Sequence, residues 1–219
     1  DPSTALGEAY MTGDIELVGN LQEIVESIMR RNKSFLNESK LLGMLGKCSP
    51  AGKRKSERDI AHHYDIGNDF YALWLDPTMS YSCAYFKTGS DNLYDAQMNK
   101  IHHILKKLNL REGQTLLDIG CGWGFLAIEA AKKYRVRVLG ITLSKEQLKK
   151  AQERIKDEGL QVLVAVKLMD YRDLEKTGLK FDRVVSVGMA EHVGKANLPL
   201  YLKNVNAVLH ETGLFLLHN

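Results

Sequence analysis

The chain has 219 residues, 44% of them hydrophobic and 26% charged, and its formal net charge is +3 at pH 7. This composition is typical of globular proteins, and it excludes collagen-like and low-complexity chains. The charge is too small to indicate a nucleic-acid partner, and no apolar run reaches the roughly 18 residues that cross a bilayer. Cys48, Cys83 and Cys121 form no CxxC pair, so we expect no disulfide framework and no metal site, and a reducing cytoplasm is favoured.

The first half of the chain is predicted to be mainly helical. Apolar residues at helical spacing predict an amphipathic helix over 17–29. Residues 47–58 are basic and contain Ser, Pro and Gly, which indicates either a solvated linker or a patch that rests on anionic lipid headgroups. An apolar and aromatic stretch follows over 62–86, and a further helix is predicted over 93–108.

From residue 114 onward, short apolar strands alternate with helices. Strands are predicted at Thr115–Ile119, Arg137–Thr142, 161–168, Phe181–Val187 and 214–218, and helices at Phe125–Tyr134, 145–159 and 197–209. Ser144, with Gln147 three residues later, predicts a capping box. The alternation predicts an α/β fold whose parallel sheet has helices on both faces. We expect further strands and helices beyond Asn219, because so apolar a last strand is unusual as the free end of a domain.

The stretch LLDIGCGWG places glycines directly after the first strand, at the edge where α/β sheets bind ligands. Gly120, Gly122 and Gly124 form a GxGxG pattern, but Phe125 stands where a dinucleotide fingerprint needs glycine. The pattern, with Asp118 on its strand, suits a ligand that has an amino-acid tail and a ribose but no phosphate, such as S-adenosylmethionine (SAM). Alternatively, the glycines only permit tight packing of strand against helix.

Polar residues at two other strand ends extend the hypothesis of a SAM site. Asp170, at the end of the third strand, is placed to accept a hydrogen bond from an adenine amine. No acidic residue ends the second strand, so Thr142 and Gln147 would have to bind the ribose with neutral groups. Together these features predict a class I SAM-dependent methyltransferase fold with a Rossmann-like sheet.

Several stretches of the chain together resemble one family. They are HHYDIGNDFYALWLDPTMSYSCAYF, LLDIGCGWG, GITLSKEQ, DYRDL, SVGMAEHVG and LFLLH. They are similar to cyclopropane-fatty-acyl-phospholipid synthases and mycolic acid cyclopropane synthases, and GEAYMTGDIE resembles the end of the smaller N-terminal domain of the phospholipid enzymes. The resemblance implies a remnant of that domain (1–46), a basic linker (47–58), a helical lid or substrate region (59–113) and an incomplete SAM-binding core (114–219).

The resemblance implies an enzyme that transfers a methyl group to a cis double bond of an unsaturated phospholipid. Proton loss to a bound bicarbonate ion then closes a cyclopropane ring. It also implies a homodimer in the cytoplasm that contacts the inner face of the membrane peripherally. Two alternatives remain open: an N-methyltransferase of a small amine, since plant-type enzymes share an HYD…YSC…EHVG pattern, and a non-catalytic, lipid-associated SAM-binding protein.

The resemblance also assigns residues. Cys83, Glu191 and His218 match positions that hold bicarbonate, and an isoleucine and a tyrosine of that site would lie beyond Asn219, so we expect this chain alone to be inactive. Asn219 itself replaces an expected threonine. Aromatic residues that could stabilise a cation or simply pack in the core are Tyr64, Phe70, Tyr71, Trp74, Tyr85 and Phe86. The matching cofactor positions are Tyr81, Ser82, Leu116, Leu117, Asp118, Ile119, Gly120, Cys121, Gly122, Trp123, Gly124, Thr142, Leu143, Ser144, Lys145, Glu146, Gln147, Tyr171 and Arg172.

Overall fold

A computed structural model describes residues 2–35 and 67–219 of the chain, with side chains for 7–28 and 67–219. The basic stretch 47–58 and the aromatic residue Tyr64 lie outside the described residues. The chain divides into two compact units, Asp1–Ser49 and Pro50–Asn219. The domain boundaries proposed from the sequence stay predictions.

The first unit contains two described helices, Pro2–Thr12 (α1) and Leu21–Phe35 (α2). The sequence predicted that the second helix begins at residue 17, which is wrong by four residues. The side-chain oxygen of Asn20 accepts the backbone N–H groups of Gln22 and Glu23 at 3.0 and 3.2 Å. Asn20 therefore caps the helix. The apolar residues before it fit the helical spacing but are not part of the helix.

The second unit contains a parallel sheet of five strands in the order β3-β2-β1-β4-β5. The strands are Thr115–Ile119 (β1), Arg137–Thr142 (β2), Val164–Leu168 (β3), Phe181–Val187 (β4) and Leu209–His218 (β5). The predicted bounds of β1, β2 and β4 are confirmed, as is the parallel sheet. This order puts the end of β1 beside the ends of β2 and β4, at the reversal point where such sheets bind ligands.

Two strand bounds predicted from the sequence are wrong. β3 begins at Val164 because the N–H groups of Leu163 and Val164 both donate to the carbonyl of Leu160, which makes residues 161–163 a turn. β5 begins at Leu209, so that Gly213 lies inside the strand and does not precede it. A Cβ at Gly213 would lie 2.6 Å from Leu209 Cγ, so this irregular part of β5 requires glycine.

Six helices of the second unit are described: Asn68–Ala72 (α3), Leu93–Lys107 (α4), Phe125–Tyr134 (α5), Lys145–Asp157 (α6), Ala190–Val193 (α7) and Leu198–Val208 (α8). Half of the predicted capping box is present at α6, where Ser144 Oγ accepts the Gln147 N–H at 3.2 Å. The Gln147 side chain instead accepts a hydrogen bond from Thr142 Oγ1 at 2.7 Å, and Ser144 N donates to Thr142 Oγ1 at 3.2 Å. Thr142 and Gln147 are therefore held together at the ligand edge of the sheet.

The sheet separates two apolar clusters, because successive strand residues point to opposite faces. Leu116 packs with residues of α4, α5 and α6, whereas its neighbour Leu117 packs with Tyr201 and Val205 of α8. Both leucines are fully buried. Among the described helices of both units, none is long and apolar enough to span a membrane.

Candidate functional site

A cavity of about 130 Å³ lies beyond the carboxyl ends of β1, β2 and β4. Twelve of the predicted cofactor positions line it: Tyr81, Ser82, Asp118, Ile119, Gly120, Cys121, Gly122, Trp123, Thr142, Leu143, Gln147 and Tyr171. We call this space the first cavity. The glycine loop, the end of β2 and the YSC stretch thus meet at one place.

The glycine loop fits closely against the surrounding structure. The N–H groups of Gly120 and Cys121 both donate to the carbonyl of Ile141 at 3.0 Å, which fastens the loop to β2. Gly120 has φ +78°, and a Cβ there would lie 3.2 Å from Met189 Sδ. A side chain at position 120 would therefore strain the backbone and push against the wall of the cavity.

Asp118, at the end of β1, is the acidic residue of the cavity lining and is only 2% exposed. Burial raises the pKa of its carboxyl to about 7, because the charged form is poorly solvated there. Near neutral pH this group can therefore exchange a proton or accept a cationic partner.

Five of the predicted cofactor positions serve the frame around the cavity. Leu116 and Leu117 lie in the two apolar clusters, Ser144 caps α6, and Lys145 and Glu146 belong to the first turn of that helix. Gly124 begins α5 with φ +81°, and a Cβ there would lie 3.0 Å from Ala151 Cβ. At Gly124 the structure matches the alternative interpretation, in which glycine permits close packing between helices.

Asp170 and Arg172 form a local ion pair beside the first cavity, whose lining includes the neighbouring residues Met169 and Tyr171. Asp170 Oδ1 accepts the backbone N–H of Arg172 at 2.8 Å and its Nε at 2.9 Å, and Oδ2 accepts Nη2 at 2.6 Å. Both oxygens of the buried carboxylate are therefore engaged. The predicted contact with an adenine amine would have to share these oxygens with Arg172, and it stays a prediction.

We call residues 76–82 the roof segment, because its residues 78–82 line one side of the first cavity. Asp76 accepts hydrogen bonds from the backbone N–H and the hydroxyl of Thr78 at 3.0 and 2.8 Å. Arg154 of α6 donates to the carbonyls of Thr78 and Pro77 at 3.0 and 2.9 Å. A side chain from the sheet-covering helix thus holds the middle of the roof segment in place.

The end of the roof segment is held from α4. Gln97 Nε2 donates to the carbonyls of Ser80 and Ser82 at 3.1 and 3.0 Å. Lys100 Nζ donates to Ser82 Oγ at 2.6 Å, and the lysine itself lines the first cavity. Neither Gln97 nor Lys100 was singled out in the sequence, although two polar residues on the apolar face of a predicted helix could have signalled them.

Asn68 connects α3 to the glycine loop and to α6. Its side-chain oxygen accepts the indole N–H of Trp123 at 2.6 Å, and its amide donates to the carbonyl and the carboxylate of Glu146 at 3.2 and 3.3 Å. Asn68 was not singled out either, because its partners lie 55 and 78 positions away along the chain.

The predicted aromatic residues divide between core and surface. Tyr71 is buried against Trp123, with ring centroids 5.1 Å apart, and belongs to the core. Phe70, Trp74, Tyr85 and Phe86 are exposed. For Tyr71, plain packing is therefore the interpretation that the structure favours.

A second cavity, of about 290 Å³, contains the three residues assigned to bicarbonate. It is lined by Tyr81, Ser82, Cys83, Gly188, Glu191, His192, His218 and Asn219. Burial, together with the positive charges of Lys100 and Lys107, lowers the pKa of His218, while Glu191 opposes the shift. The imidazole is therefore neutral near pH 7 and can accept as well as donate a hydrogen bond.

The two cavities share a thin wall, since Tyr81, Ser82, Gly188 and His192 line both. A Cβ at Gly188 would lie 3.4 Å from Ser82 Cβ and 4.0 Å from Glu191 Oε1. The Gly188 N–H donates to the carbonyl of His218 at 2.9 Å. Within the described parts of the chain, no group of His, Cys, Asp or Glu side chains is arranged to hold a metal ion.

Comparison with known proteins assigns the chain to a family. Residues 51–219 match the family described as mycolic acid cyclopropane synthetase. The chain belongs to this family. Residues 1–40 match a second family, described as a domain of unknown function, DUF7884.

Members of the cyclopropane synthetase family and their relatives resemble this chain at high identity. A probable fatty acid methyltransferase of Pseudomonas putida is 45% identical over 97% of this chain and 53% of its own length. The cyclopropane-fatty-acyl-phospholipid synthase of Escherichia coli K12 is 53% identical over 71% of this chain and 39% of its own length. The chain thus spans about half the length, or less, of these curated relatives.

A solved structure of the cyclopropane synthetase family supports the fold. The mycolic acid cyclopropane synthase CmaA1, in complex with SAH and CTAB, is 38% identical and superimposes with a TM-score of 0.69, over 74% of this chain and 55% of that one. The predicted class I methyltransferase fold is confirmed by this match.

Proposed function

We propose that this chain is the SAM-binding part of an enzyme that methylates the cis double bond of an unsaturated phospholipid acyl chain and closes a cyclopropane ring. The observation that carries the proposal is the thin wall between the two cavities. One cavity follows the glycine loop, and the other gathers Cys83, Glu191 and His218. A methyl donor in the first cavity would then lie next to the proton acceptor in the second.

The first cavity suits SAM. The related CmaA1, which was crystallised with SAH, has the same fold. In this chain, a close-packed glycine loop would allow the backbone to approach an amino-acid tail. Thr142 and Gln147 would offer neutral hydrogen-bonding groups to a ribose. Bound SAM supplies an electrophilic methyl group.

The residues of this chain would position the reactants and exclude water. An alkene is a weak nucleophile, so its attack requires close contact and a site that water cannot enter. The roof segment, held by Arg154, Gln97 and Lys100, would shield one side of the first cavity from water. Gly188, where a Cβ would already touch Ser82 Cβ at 3.4 Å, keeps the wall between the two cavities thin.

The second cavity would hold a bicarbonate ion, which supplies a proton acceptor. The hydroxyl of bicarbonate can donate to the Glu191 carboxylate, while the neutral His218 imidazole and the Cys83 backbone or thiol bind its oxygens. In the overall reaction the acyl chain gains one CH₂, SAM becomes SAH and one proton leaves. Cys83 would position the ion, and no nucleophilic role is assigned to it.

The test of turnover uses the protein as its organism makes it. It is incubated with methyl-labelled SAM and vesicles of unsaturated phospholipid, and the lipids are analysed by mass spectrometry and proton NMR. We expect a gain of one CH₂ per acyl chain and the high-field signals of cyclopropane protons. A CH₂ gain without those signals would indicate methylation without ring closure, and label in an added small amine but not in lipid would contradict the proposal.

The assignment of the second cavity is tested with Glu191→Gln. This variant should bind SAH nearly as well as the wild type, because Glu191 borders the second cavity and not the first. Its cyclopropane formation should fall by at least tenfold, because weaker binding of bicarbonate would remove the general base from the site. Wild-type activity of the variant in bicarbonate buffer would disprove the assignment.

We also propose that the protein works at the cytoplasmic face of the membrane, as a peripheral homodimer. The lipid substrate and the basic stretch 47–58 support the contact with anionic headgroups. Sedimentation with vesicles at low salt should show a preference for anionic over neutral bilayers. Equal sedimentation with both would contradict the membrane contact, and a monomeric mass by light scattering would contradict the dimer.

A further inference from the structure

Lys100 is a buried cation that lines the first cavity and lacks a counter-ion among the described residues. The lysine is 3% exposed, and its hydrogen bond to the neutral Ser82 hydroxyl is 2.6 Å long. In the part of the chain that the structure describes, no carboxylate forms an ion pair with it. Burial of an ammonium group is costly unless an anion compensates for the lost hydration.

The groups around Lys100 do not replace such an anion. Asp76 and Cys83 act on it from a distance, and burial outweighs both, so the pKa of Lys100 is lowered to about 8. Both Asp76 oxygens already accept hydrogen bonds from Thr78. The positive charge of Lys100 also disfavours protonation of His218, so this histidine supplies no negative charge. Near pH 7 the lysine is still mostly protonated and can pair with an anion that enters the cavity.

We propose that Lys100 is a cofactor-binding residue whose ammonium group pairs with the α-carboxylate of the SAM amino-acid tail. The inference rests on the proposed SAM binding, and it adds the residue that recognises the charged end of the tail. The carboxylate is the part of SAM that complements a lysine. The α-ammonium and the sulfonium are cationic, and the ribose and adenine are neutral.

Ser82 completes this arrangement. Because Ser82 Oγ accepts a hydrogen bond from Lys100, its own O–H is free to point away from the lysine and donate to the same carboxylate. The two side chains therefore present a charged donor and a neutral donor to one anion. Ser82 was assigned to the cofactor from the sequence, whereas Lys100 explains how the serine hydroxyl is oriented.

A free anion, such as bicarbonate, has the same chemistry as the α-carboxylate and is the second possible partner of Lys100. The position of the lysine favours the cofactor, since Lys100 lines the first cavity while the second is lined by other residues. The experiment therefore includes both anions.

The experiment measures, by calorimetry at low salt and pH 7, the affinity of this chain for SAH, for decarboxylated SAH and for bicarbonate. The wild type should bind SAH about tenfold to hundredfold more tightly, as a charge-assisted hydrogen bond allows. In Lys100→Met this preference should fall at least fivefold. The matched control is Lys106→Met, on the exposed face of the same helix, which should keep the wild-type preference.

The possible results separate the inference from the proposal on which it rests. If the wild type binds neither compound, SAM binding itself is contradicted. If it binds SAH and Lys100→Met keeps the full preference, the inference alone is overturned. It is also overturned if Lys100→Met weakens bicarbonate binding without changing the preference for SAH.

A second variant keeps the test decisive if Lys100→Met does not fold. Ser82→Ala retains the buried cation and removes the neutral donor. It should keep most of the preference for SAH over the decarboxylated compound. Complete loss of the preference in Ser82→Ala would assign the carboxylate to the serine and overturn the role of the lysine.

Discussion

Apolar packing holds the sheet of this protein together, whereas hydrogen bonds hold the roof segment over the first cavity. Leu117 and Tyr201 are fully buried in one cluster below the sheet. The roof segment is fastened by Arg154, Gln97 and Lys100, which donate to backbone carbonyls and one hydroxyl. The contrast implies that the affinity for a ligand can be changed at the roof without loss of the fold, while changes in the sheet alter stability first.

The largest expected effect comes from Leu117→Ala, in the sheet. Removal of a fully buried leucine side chain should lower the free energy of unfolding by about 2–5 kcal/mol. Urea denaturation measures this loss, and calorimetry on the folded fraction should show SAH affinity near that of the wild type. Intact stability together with weakened SAH binding in this variant would contradict the view that changes in the sheet alter stability before ligand affinity.

The raised pKa of Asp118, near the end of β1, predicts that the stability of the protein depends on pH. Its pKa is about 7 in the folded protein and about 4 in an unfolded chain, so folding favours the protonated carboxyl. The stability that this proton provides is complete below about pH 4 and is lost as the pH rises toward 7, by up to about 1.4 kcal/mol per pH unit.

The matched variant for this pH dependence is Asp118→Asn, which has the same shape and no titration. The free energy of unfolding is measured for both proteins at pH 4.5, 5.5 and 6.5. As the pH rises, the wild type should steadily lose stability relative to the variant. His102 and His218, whose pKa values are lowered, act in both proteins and cancel in the difference. Parallel curves would show that Asp118 is not the titrating group.

A smaller effect is expected from Arg154→Met, which releases the roof segment. Loss of the two hydrogen bonds to Pro77 and Thr78 should reduce SAH affinity about tenfold, since the roof would have to be ordered by the ligand. The control is Lys150→Met on the same helix, where an exposed pair with Glu153 is lost. Equal SAH affinity in the two variants would mean that the roof needs no fastening by Arg154.

The smallest effect is expected from Asn68→Ala. The Trp123 indole N–H loses its acceptor at 2.6 Å, which should cost about 1 kcal/mol of stability. Hydrogen exchange of that indole proton, followed by NMR, should become faster. Asn99→Ala, which removes an amide hydrogen bond to Asp91, should leave this proton unchanged. Unaltered exchange in Asn68→Ala would show that other contacts protect the indole.

The sequence predicts the sheet better than the roof, for a physical reason. The bounds of β1, β2 and β4 follow from local apolar runs and are confirmed. The start of β3 was predicted wrongly, because the turn at Leu160 involves backbone hydrogen bonds that apolar spacing does not reveal. Local pattern therefore specifies an element, but its ends depend on neighbours.

The candidate site shows the same limit at longer range. The predicted cofactor positions in LLDIGCGWG that line the first cavity could be grouped from the sequence because one continuous stretch contains them. Arg154 acts on carbonyls 76 and 77 positions away, and Lys100 acts on a hydroxyl 18 positions away. Such partners become visible only when the chain is folded, since neither residue belongs to a recognisable local motif.

A backbone hydrogen bond between Gly188 and His218 links the borders of the two cavities. His218 borders one cavity, Gly188 borders both, and a single backbone hydrogen bond of 2.9 Å joins them. Because this bond continues the pairing of β4 with β5, the spacing between the two cavities is set by the backbone of the sheet and not by the side chains that line them.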